Sequence, residues 1–377
     1  MNSEETIRIL VWGMSENIGG IETFIMNVYR NIDRNKVQFD FLCSHNSPRI
    51  AFEDEIEQMG GRIFRIMYSE RESIIKSRKC LKDFFKQHPE IKGVHIHANF
   101  PYAFPLKYAK KSGIKLRILH SHNSAGIEKE KYGIKKFIDK LRKRQVAGQI
   151  SRYPNVYLAC SDSAGEYMFN DIPFHWIKNG INVSEFRFDA VIRKEYRNKF
   201  NIDENTTVIG FIGRYREQKN PLYLLEIFKE YSIINNRALL VMIGIGDMQE
   251  EVDKKIKELE LEQKVIQLGT REDTNDLYKM MDAFLLPSLY EGLPVVLVEA
   301  QTSGLTCFVS DTTTKQVNLT DLINFYSIKS SPQQWAKLMD RQIKRCRREG
   351  YAEEIIEAGF DMKDVAKKLE KIYLSVE

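Results

Sequence analysis

Apolar residues in the first half of the chain fall into short runs that alternate with helical patterns. The short runs predict strands at 7–12, 37–43, 62–66, 93–97, 115–121 and 155–160. Between them, apolar residues recur every three or four positions, the spacing of a helix with one buried face. These helical patterns cover 21–31, 50–59, 71–87, 101–111 and 128–151. Alternating strands and helices predict a doubly wound α/β sheet.

A second series of the same kind follows after a polar stretch. Its strands are predicted at 208–213, 238–243, 265–268, 283–286 and 306–309. Its helices are predicted near 220–235, 249–260, 273–281 and 294–303. The stretch from 179 to about 189 shows no clear element, so we place the domain boundary there. The pattern predicts two Rossmann-like domains, 1–180 and 181–358, with a ligand cleft between them. We expect the terminal helix, 359–377, to pack back on the first domain.

The stretch 287–300 reads as strand end, loop and helix, with Pro294 near the first helical position. In a parallel sheet this arrangement points a helix N-terminus at the crevice beyond the strand ends, where anions such as diphosphate bind. Glu291 lies in the loop and Glu299 about a turn and a half into the helix. Both carboxylates can therefore accept hydroxyl hydrogen bonds from one ligand. The alternative is a loop acid and a helical glutamate on a solvated face.

Two cations follow the first strand of the second series. Arg214 and Lys219 lie in a loop before a helix that starts near Pro221. Two positive side chains and a helix N-terminus at one place would neutralise a leaving diphosphate as a glycosidic bond breaks. The alternative is that both are loop charges in water.

Glycines occupy several predicted strand-to-helix loops. Gly19 and Gly20 permit close backbone approach to a phosphate or a sugar, although a paired glycine is also common in plain turns. The pattern Gly-x-Gly-x-x-Gly is absent, so an NAD site is not supported. Gly244 and Gly269 follow two further strands. Each indicates either a loop that approaches a nucleotide or a structural turn.

Histidines end one strand of the first domain. An imidazole at His122, or less favourably at His120, could hydrogen-bond the transferred sugar or the acceptor. The alternative is a structural histidine that bonds to the backbone. We interpret His95 and His97, on another predicted strand, as structural. Because the spacing offers no carboxylate as a third ligand, we predict no metal site.

Composition excludes several classes of protein. The 377 residues are 43% hydrophobic and 29% charged, as in soluble globular proteins. There is no apolar stretch of about 20 residues and no basic-then-apolar N-terminus, so we expect a cytoplasmic location. The five cysteines are widely spaced, which favours neither a disulfide framework nor a zinc site.

The net charge of +5 is too small to indicate nucleic acid binding, but the charge is unevenly distributed. Residues 128–152 contain nine lysines and arginines against three acids, with apolar residues at roughly helical spacing. This pattern predicts a basic amphipathic helix. It is either a solvated face or a peripheral contact with the anionic inner face of a membrane.

Three of these stretches together resemble family 4 glycosyltransferases of the GT-B fold, in particular bacterial capsular and exopolysaccharide transferases. They are Gly19-Gly20-Ile21-Glu22, Gly213-Arg214 with Lys219-Asn220, and Glu291-Gly292-Leu293-Pro294 through Glu299. The resemblance covers essentially the whole chain, in the right order. It implies a retaining, metal-independent hexosyltransferase that uses a sugar nucleotide as co-substrate and needs no cofactor.

The resemblance also assigns roles to residues. It makes Arg214 and Lys219 the diphosphate clamp and gives Glu299 the nucleotide ribose. Gly20, next to Gly19, would close the first-domain side of the pocket, and His122 would take the family's cleft-histidine role.

The donor sugar would be held by Glu291 with the amides of Gly292 and Leu293. Many family members have a further glycine where this chain has Pro294. The proline lacks an N–H group, so one amide contact to the sugar or phosphate is lost.

Two other functions fit parts of the pattern. A sugar-nucleotide epimerase of similar architecture would bind a donor without an acceptor, and would have no use for the basic segment 128–152. A non-catalytic sugar-nucleotide-binding protein would need neither both cations nor both carboxylates. The sequence does not specify the sugar, the base or the accepting hydroxyl. UDP is favoured as the common carrier, and the acceptor is expected to be a saccharide or a lipid-linked saccharide.

Overall fold

The computed structural model describes residues 6–68, 73–123, 134–343 and 348–375. The chain divides into two compact units. Unit 1 comprises the described residues up to Gly180 together with those from Met362 onward, and unit 2 comprises Ile181–Asp361.

Unit 1 is built on a seven-stranded sheet in which every strand pair is parallel, in the order β3-β2-β1-β4-β5-β6-β7. The strands are β1 Ile7–Trp12, β2 Val37–Ser44, β3 Arg62–Ile66, β4 Ile91–Ala98, β5 Leu116–Ser121, β6 Val156–Ala159 and β7 His175–Trp176. The helices are α1 Gly20–Asn31, α2 Glu53–Gln58, α3 Ile74–Gln87, α4 Phe104–Lys111, α5 Ile134–Arg152, α6 Asp162–Phe169 and, from the end of the chain, α15 Met362–Leu374.

Unit 2 contains a six-stranded sheet, also parallel throughout, in the order β10-β9-β8-β11-β12-β13. The strands are β8 Thr207–Ile212, β9 Ala238–Ile243, β10 Val265–Gln267, β11 Ala283–Leu286, β12 Thr306–Ser310 and β13 Ile323–Tyr326. The helices are α7 Val183–Phe186, α8 Ala190–Lys199, α9 Pro221–Ile234, α10 Gln249–Glu258, α11 Thr274–Met280, α12 Val295–Thr302, α13 Pro332–Ile343 and α14 Tyr351–Glu357.

Helices cover both faces of the first sheet, which explains the continuous apolar runs of its central strands. In β1, Ile9 and Val11 belong to one buried cluster, whereas Leu10 and Trp12 belong to another. The two clusters lie on opposite faces because successive strand residues point in opposite directions. The C-terminal helix α15 packs with α1 over the face that contains Ile9 and Val11.

Each sheet reverses its strand order at its first strand. In unit 2, β8 lies between β9 and β11, so chain segments leave neighbouring strands toward opposite sides of the sheet. Ligands of such sheets bind outside the carboxyl ends of the strands at this switch point. The switch point therefore brings the loop after β8, residues 213–220, beside the loop after β11, residues 287–294.

The structure confirms the α/β architecture of two parallel sheets but adds elements that the apolar pattern did not predict. The stretch up to about residue 189 contains the short helix α7, so the prediction of no element there was wrong. Val183 and Phe186 of this helix are buried. A four-residue helix is too short to display a helical period. The elements β7, β13, α6, α8, α13 and α14 were also not predicted.

Helix α5 covers the described part of the basic segment, and residues 128–133 lie outside the described residues. In its second half, Ile150 is buried whereas Arg144 and Arg152 are exposed to solvent. Among the described residues no helix has both the length and the apolar character required to cross a bilayer. Contact of this segment with a membrane surface stays a prediction.

Candidate active site

The loop after β8 presents Lys219 at the start of helix α9. Residues Glu217–Lys219 form a 3-10 turn, and Asn220 has a φ of 54° in the left-handed region, where asparagine is tolerated better than most residues. Pro221 then opens α9, where its fixed φ suits the helix and its missing N–H group has no cost. The local sequence thus ends the loop sharply and places an ammonium group beside a helix N-terminus.

Lys219 forms an ion pair with Glu291 across the switch point. The Nζ atom lies 2.6 Å from Glu291 Oε1, and the two side chains are only 18% and 7% exposed. The loops are also joined through their backbones. Leu289 N donates to Gln218 O at 2.8 Å, and Gln218 Nε2 donates to Tyr290 O at 3.1 Å. The structure therefore brings together two predicted site residues that are distant in sequence.

This ion pair can bind both an anion and a sugar. A lysine ammonium has three donors, and Glu291 uses one of them, so two remain for phosphate oxygens. The carboxylate retains acceptor positions for sugar hydroxyls. Because the pair is largely enclosed, its interaction with an added charge is screened less by water than that of exposed loop charges.

Arg214 lies in the same loop as Lys219, after β8. Arg214 is exposed, and its guanidinium forms no ion pair with any residue in the described part of the chain. Its neighbour Arg216 lies 3.5 Å from Asp247. Convergence of Arg214 with Lys219 on one diphosphate therefore stays a prediction, and Lys219 is the enclosed cation of the loop.

Glu299 is held by a tyrosine that the sequence analysis missed. Tyr278 Oη on α11 donates to Glu299 Oε2 on α12 at 2.8 Å. Burial raises the pKa of Glu299 to about 7, and the Tyr278 hydrogen bond opposes this rise only in part. No motif marks Tyr278, because its relation to Glu299 depends on the packing of two helices. Glu299 is thus a carboxyl group that changes its charge near neutral pH, and its contact with a ribose stays a prediction.

The residues between Glu291 and helix α12 form the tip of the site. Gly292 is exposed and Leu293 packs partly against the core of unit 2. Pro294 precedes the first helical residue, Val295, with a φ of −74°. The helix starts one residue later than predicted, so Pro294 is its N-cap. The contacts of the Gly292 and Leu293 amides with a donor sugar stay predictions.

Gly244 and Gly269 lie in loops that are tied to the loop after β8. Gly244 has a φ of +128°, and a Cβ atom there would overlap the carbonyl of Gly213. Its N–H group donates to Gly269 O at 2.8 Å. Gly269 has a φ of +62° and open space around its Cα. These contacts support a structural role for Gly244, and contact of either glycine with a nucleotide stays a prediction.

In unit 1, a glycine pair starts helix α1. The carboxylate of Glu22 accepts hydrogen bonds from the Ser15 hydroxyl at 2.6 Å and the Ser15 N–H at 3.2 Å, which fixes the loop. A Cβ atom on Gly19 would lie 2.9 Å from Glu22 Oε2, whereas one on Gly20 would meet nothing within 4 Å. Packing of the described residues therefore does not require glycine at position 20.

His122 lies at the end of β5 under helix α1. Its Nε2 atom is 2.8 Å from His97 Nδ1, and the ring of Phe24 packs against it at 5.2 Å. Burial lowers the pKa of His122 to about 3, so the imidazole is neutral at physiological pH. A neutral ring can accept at one nitrogen and donate at the other. His120 is fully buried, and neither of its ring nitrogens has a hydrogen-bond partner among the described residues.

Two family models match the chain on either side of the unit boundary. The model "Glycosyltransferase Family 4" matches residues 18–185, and "Glycosyl transferases group 1" matches residues 192–362. The putative glycosyltransferase EpsF of Bacillus subtilis (strain 168) is 32% identical over 381 residues, which cover 99% of this chain and 97% of the relative. The chain belongs to glycosyltransferase family 4.

Two further relatives match different shares of the chain. The capsular polysaccharide biosynthesis glycosyltransferase CapH of Staphylococcus aureus is 25% identical, covering 95% of this chain and 96% of its own. UDP-Gal:alpha-D-GlcNAc-diphosphoundecaprenol alpha-1,3-galactosyltransferase of Escherichia coli is 24% identical, covering 78% and 76%. The crystal structure of Anabaena HepE in complex with UDP superposes with a TM-score of 0.75 at 15% identity, over 98% of this chain and 100% of the other. The fold is therefore that of the GT-B glycosyltransferases.

Replacement of Glu299 by glutamine is expected to change how stability depends on pH. In the wild-type protein the folded-state pKa of about 7 lies above the ordinary value of 4.5. The free energy of unfolding therefore falls as pH rises through 7, by about 3 kcal/mol in the limit of full ionisation. Glu299→Gln removes this loss. The free energy of unfolding of the variant relative to wild type should therefore be higher at pH 8.5 than at pH 5. Urea unfolding at both pH values measures the gain.

The control for this experiment is Glu262→Gln, an exposed carboxyl group in the same unit. This variant should follow the wild-type pH dependence. Equal pH dependence of wild type and Glu299→Gln would show that the carboxyl group titrates at its ordinary pKa.

Proposed function

We propose that the protein is a retaining hexosyltransferase that moves a sugar from a UDP-sugar to a saccharide or lipid-linked saccharide acceptor, in exopolysaccharide or capsule biosynthesis. The observation that supports this most is the enclosed Lys219–Glu291 pair at the switch point of the unit 2 sheet. A cation for the diphosphate and a carboxylate for the sugar are held 2.6 Å apart. Arg214, from the same loop, and Glu299, for the ribose, complete the proposed donor site.

The comparisons support the choice of donor and acceptor. The HepE structure contains UDP, and the name of the Escherichia coli relative specifies a UDP-linked galactose and a diphosphoundecaprenol-linked acceptor. The name of CapH refers to capsular polysaccharide biosynthesis. We transfer these properties to this chain because it belongs to the same family and has the same fold. Residues 1–180 would then contact the acceptor, and residues 181–358 the nucleotide sugar.

The proposed reaction breaks the bond between the anomeric carbon and the diphosphate oxygen. Negative charge grows on the departing diphosphate, and Lys219, Arg214 and the N-terminus of α9 stabilise it. Glu291 and the amides of Gly292 and Leu293 hold the sugar. The acceptor oxygen attacks on the face that the diphosphate leaves, and a phosphate oxygen takes its proton. The configuration at the anomeric carbon is retained, and the charge is neutralised without a metal ion.

In unit 1 we propose that Gly20 and His122 contact the transferred sugar or the acceptor. Gly20 has open space at its Cα, and the neutral His122 ring has a nitrogen that His97 does not occupy. The protein would act in the cytoplasm, where the basic segment 128–152 would bring it to the inner face of the membrane and to a lipid-linked acceptor.

The test is incubation of the protein with UDP-glucose, UDP-galactose and UDP-N-acetylglucosamine, each with and without a lipid-diphosphate-linked saccharide. We expect acceptor-dependent release of UDP and a product with the anomeric configuration of the donor, determined by NMR. Inversion of that configuration would refute the mechanism. An epimerised donor without transfer would instead support an epimerase, and donor binding without conversion a non-catalytic binding protein.

Gly20→Ala is expected to reduce transfer at least tenfold while leaving the fold intact. The added methyl group meets no described atom of the chain within 4 Å, and in our proposal it would project into space that the ligand uses. Gly148→Ala is a matched control, because Gly148 on α5 also has nothing within 4 Å of its Cβ position. Initial rates and melting temperatures of both variants provide the measurement. Equal rates for Gly20→Ala and wild type would remove Gly20 from the proposed pocket.

A further inference from the structure

The parallel register of β4 and β5 collects four histidines on one face of the unit 1 sheet. His95 and His97 are two residues apart on β4, and His120 and His122 are two residues apart at the end of β5. His97 pairs with His120 across the ladder. Residues two apart on a strand point to the same face, so the four rings lie together under α1 and α15.

Three of the rings have nitrogen atoms close to one another. One ligand nitrogen each of His95, His97 and His120 lies within 4.8 Å of the others. His95 and His120 are fully buried, and His97 is 6% exposed. Zinc–nitrogen bonds are about 2.0–2.1 Å long, so each nitrogen would move inward by up to about 0.7 Å to reach a shared ion. The rings of His95 and His97 stack with their centroids 3.9 Å apart, so at least one of them must also turn to direct its nitrogen at the ion.

The hydrogen-bond pattern leaves ring nitrogens of two of these histidines without partners. His95 Nε2 and both ring nitrogens of His120 form no hydrogen bond with a described residue. Buried polar atoms without a partner are rare in folded proteins and costly. An ion bound to these atoms would remove that cost.

The remaining ring nitrogens are held as in known metal sites. His95 Nδ1 lies 2.7 Å from the hydroxyl of Tyr373 on α15, and His97 Nδ1 lies 2.8 Å from His122 Nε2. Histidine ligands usually donate their second ring N–H to an acceptor, which fixes the tautomer and the ring orientation. The Tyr373 hydroxyl and the His122 ring nitrogen can accept these hydrogen bonds. Both partners thus leave Nε2 of His95 and His97 as the ligand atom.

We propose that His95, His97 and His120 bind a divalent transition-metal ion of the Zn²⁺ or Co²⁺ type. Imidazole nitrogens as the donors favour such ions over Mg²⁺ and Ca²⁺, which prefer oxygen. This site lies in unit 1 and is separate from the diphosphate clamp, so it does not replace Lys219 or Arg214. The sequence spacing offers no carboxylate as a third ligand. The register of β4 and β5 supplies a third imidazole instead, that of His120.

The bound ion would also determine the state of His122. With the ion on Nε2 of His97, the proton of that ring sits on Nδ1 and is donated to His122 Nε2. His122 then carries its own proton on Nδ1. The metal site would thus fix which nitrogen of His122 can donate to a ligand.

The test is titration of the chelator-treated, dialysed full-length protein with ZnCl₂ and CoCl₂. We expect one ion per chain by calorimetry, the visible absorption of four-coordinate cobalt, and a higher melting temperature with Zn²⁺ but not with Mg²⁺. His120→Asn should abolish these signals. His175→Asn, at an exposed histidine of the same unit, should leave them unchanged. Absence of binding to the wild type, or equal binding by His120→Asn, would overturn the proposal.

Tyr373→Phe is the second variant, because it keeps all three ligands and the aromatic packing against Phe39. It removes only the hydroxyl that orients His95, and should lower metal affinity by about 10–100-fold. This variant decides the question if His120→Asn does not fold, and unchanged affinity would argue against the site. The proposal does not rest on the sugar-transfer reaction, since metal binding is measured without a donor.

Discussion

Lys219→Ala is expected to lower the rate of sugar transfer by about 10²–10³-fold, the loss found when one preorganised charge-stabilising group is removed. The substitution removes the enclosed ammonium group that faces the leaving diphosphate in our proposal. It also leaves Glu291, whose side chain is 7% exposed, without its partner. Loss of kcat should exceed any rise in KM, because the diphosphate has more charge in the transition state than in the bound donor.

Lys255→Ala is the matched control for this experiment. Lys255 pairs with Glu226 at the same distance of 2.6 Å and lies in the same unit, on helix α10. Its removal should leave turnover near the wild-type value. Steady-state kinetics with a UDP-sugar and melting curves of both variants separate loss of chemistry from loss of fold. Near-normal turnover of folded Lys219→Ala would refute the proposed clamp.

Glu291→Ala should also abolish transfer. Removing the ion pair can lower both activity and stability, and the double variant Lys219→Met with Glu291→Gln distinguishes these two effects. The double variant leaves no unpaired charge at the switch point, so its stability should recover relative to the single alanine variants. Its activity should remain as low as that of Lys219→Ala. Recovery of activity together with stability would show that the pair serves only the fold.

The sequence was sufficient to propose Lys219, Glu291 and Glu299 as site residues, because each lies in a local pattern of strand, loop and helix. It did not show that Lys219 contacts Glu291. That contact depends on β8 and β11 being neighbours in the sheet, and sheet order is set by the packing of the whole unit. The predicted convergence of Arg214 with Lys219 depends on the conformation of their loop, which local sequence does not determine, and it stays a prediction.

The histidines illustrate the same limit. Spacing along β4 placed His95 and His97 on one face, and spacing along β5 did the same for the other two. Only the register, with His97 opposite His120, joins the pairs into one cluster. The raised pKa of Glu299 likewise depends on its burial, and the hydrogen bond that opposes this rise comes from Tyr278 on a different helix.

Fold elements were predicted well where they were long and apolar. Strand β1 at Ile7–Trp12 and strand β9 at Ala238–Ile243 have the predicted bounds. The two-residue strand β7 and the four-residue helix α7 are too short to show a period, and both depend on neighbours for their conformation. The conformation of such short elements is therefore determined by long-range packing, which the local sequence pattern does not show.

Gly244→Ala is expected to destabilise unit 2 by about 3–5 kcal/mol, because the alanine would have a strained backbone conformation and its Cβ atom would overlap a backbone atom. The residue has a φ of +128°, and its new Cβ would enter the space of the Gly213 carbonyl, which is backbone and cannot rotate away. Gly213 is the first residue of the loop after β8, which contains Lys219. Displacement of this loop should therefore weaken binding of a UDP-sugar as well as lower the melting temperature, by about 10 °C.

Gly269→Ala is the control, because Gly269 is also in the left-handed region, at +62°, but a Cβ atom there meets nothing within 4 Å. Only the backbone preference is lost, which costs about 1–2 kcal/mol. Thermal unfolding and UDP titration of both variants test the difference. If Gly244→Ala loses UDP affinity but keeps the wild-type melting temperature, Gly244 contacts the nucleotide directly, as one interpretation of the sequence has it. If it loses both, while Gly269→Ala keeps its affinity, Gly244 acts by supporting the loop that carries Lys219.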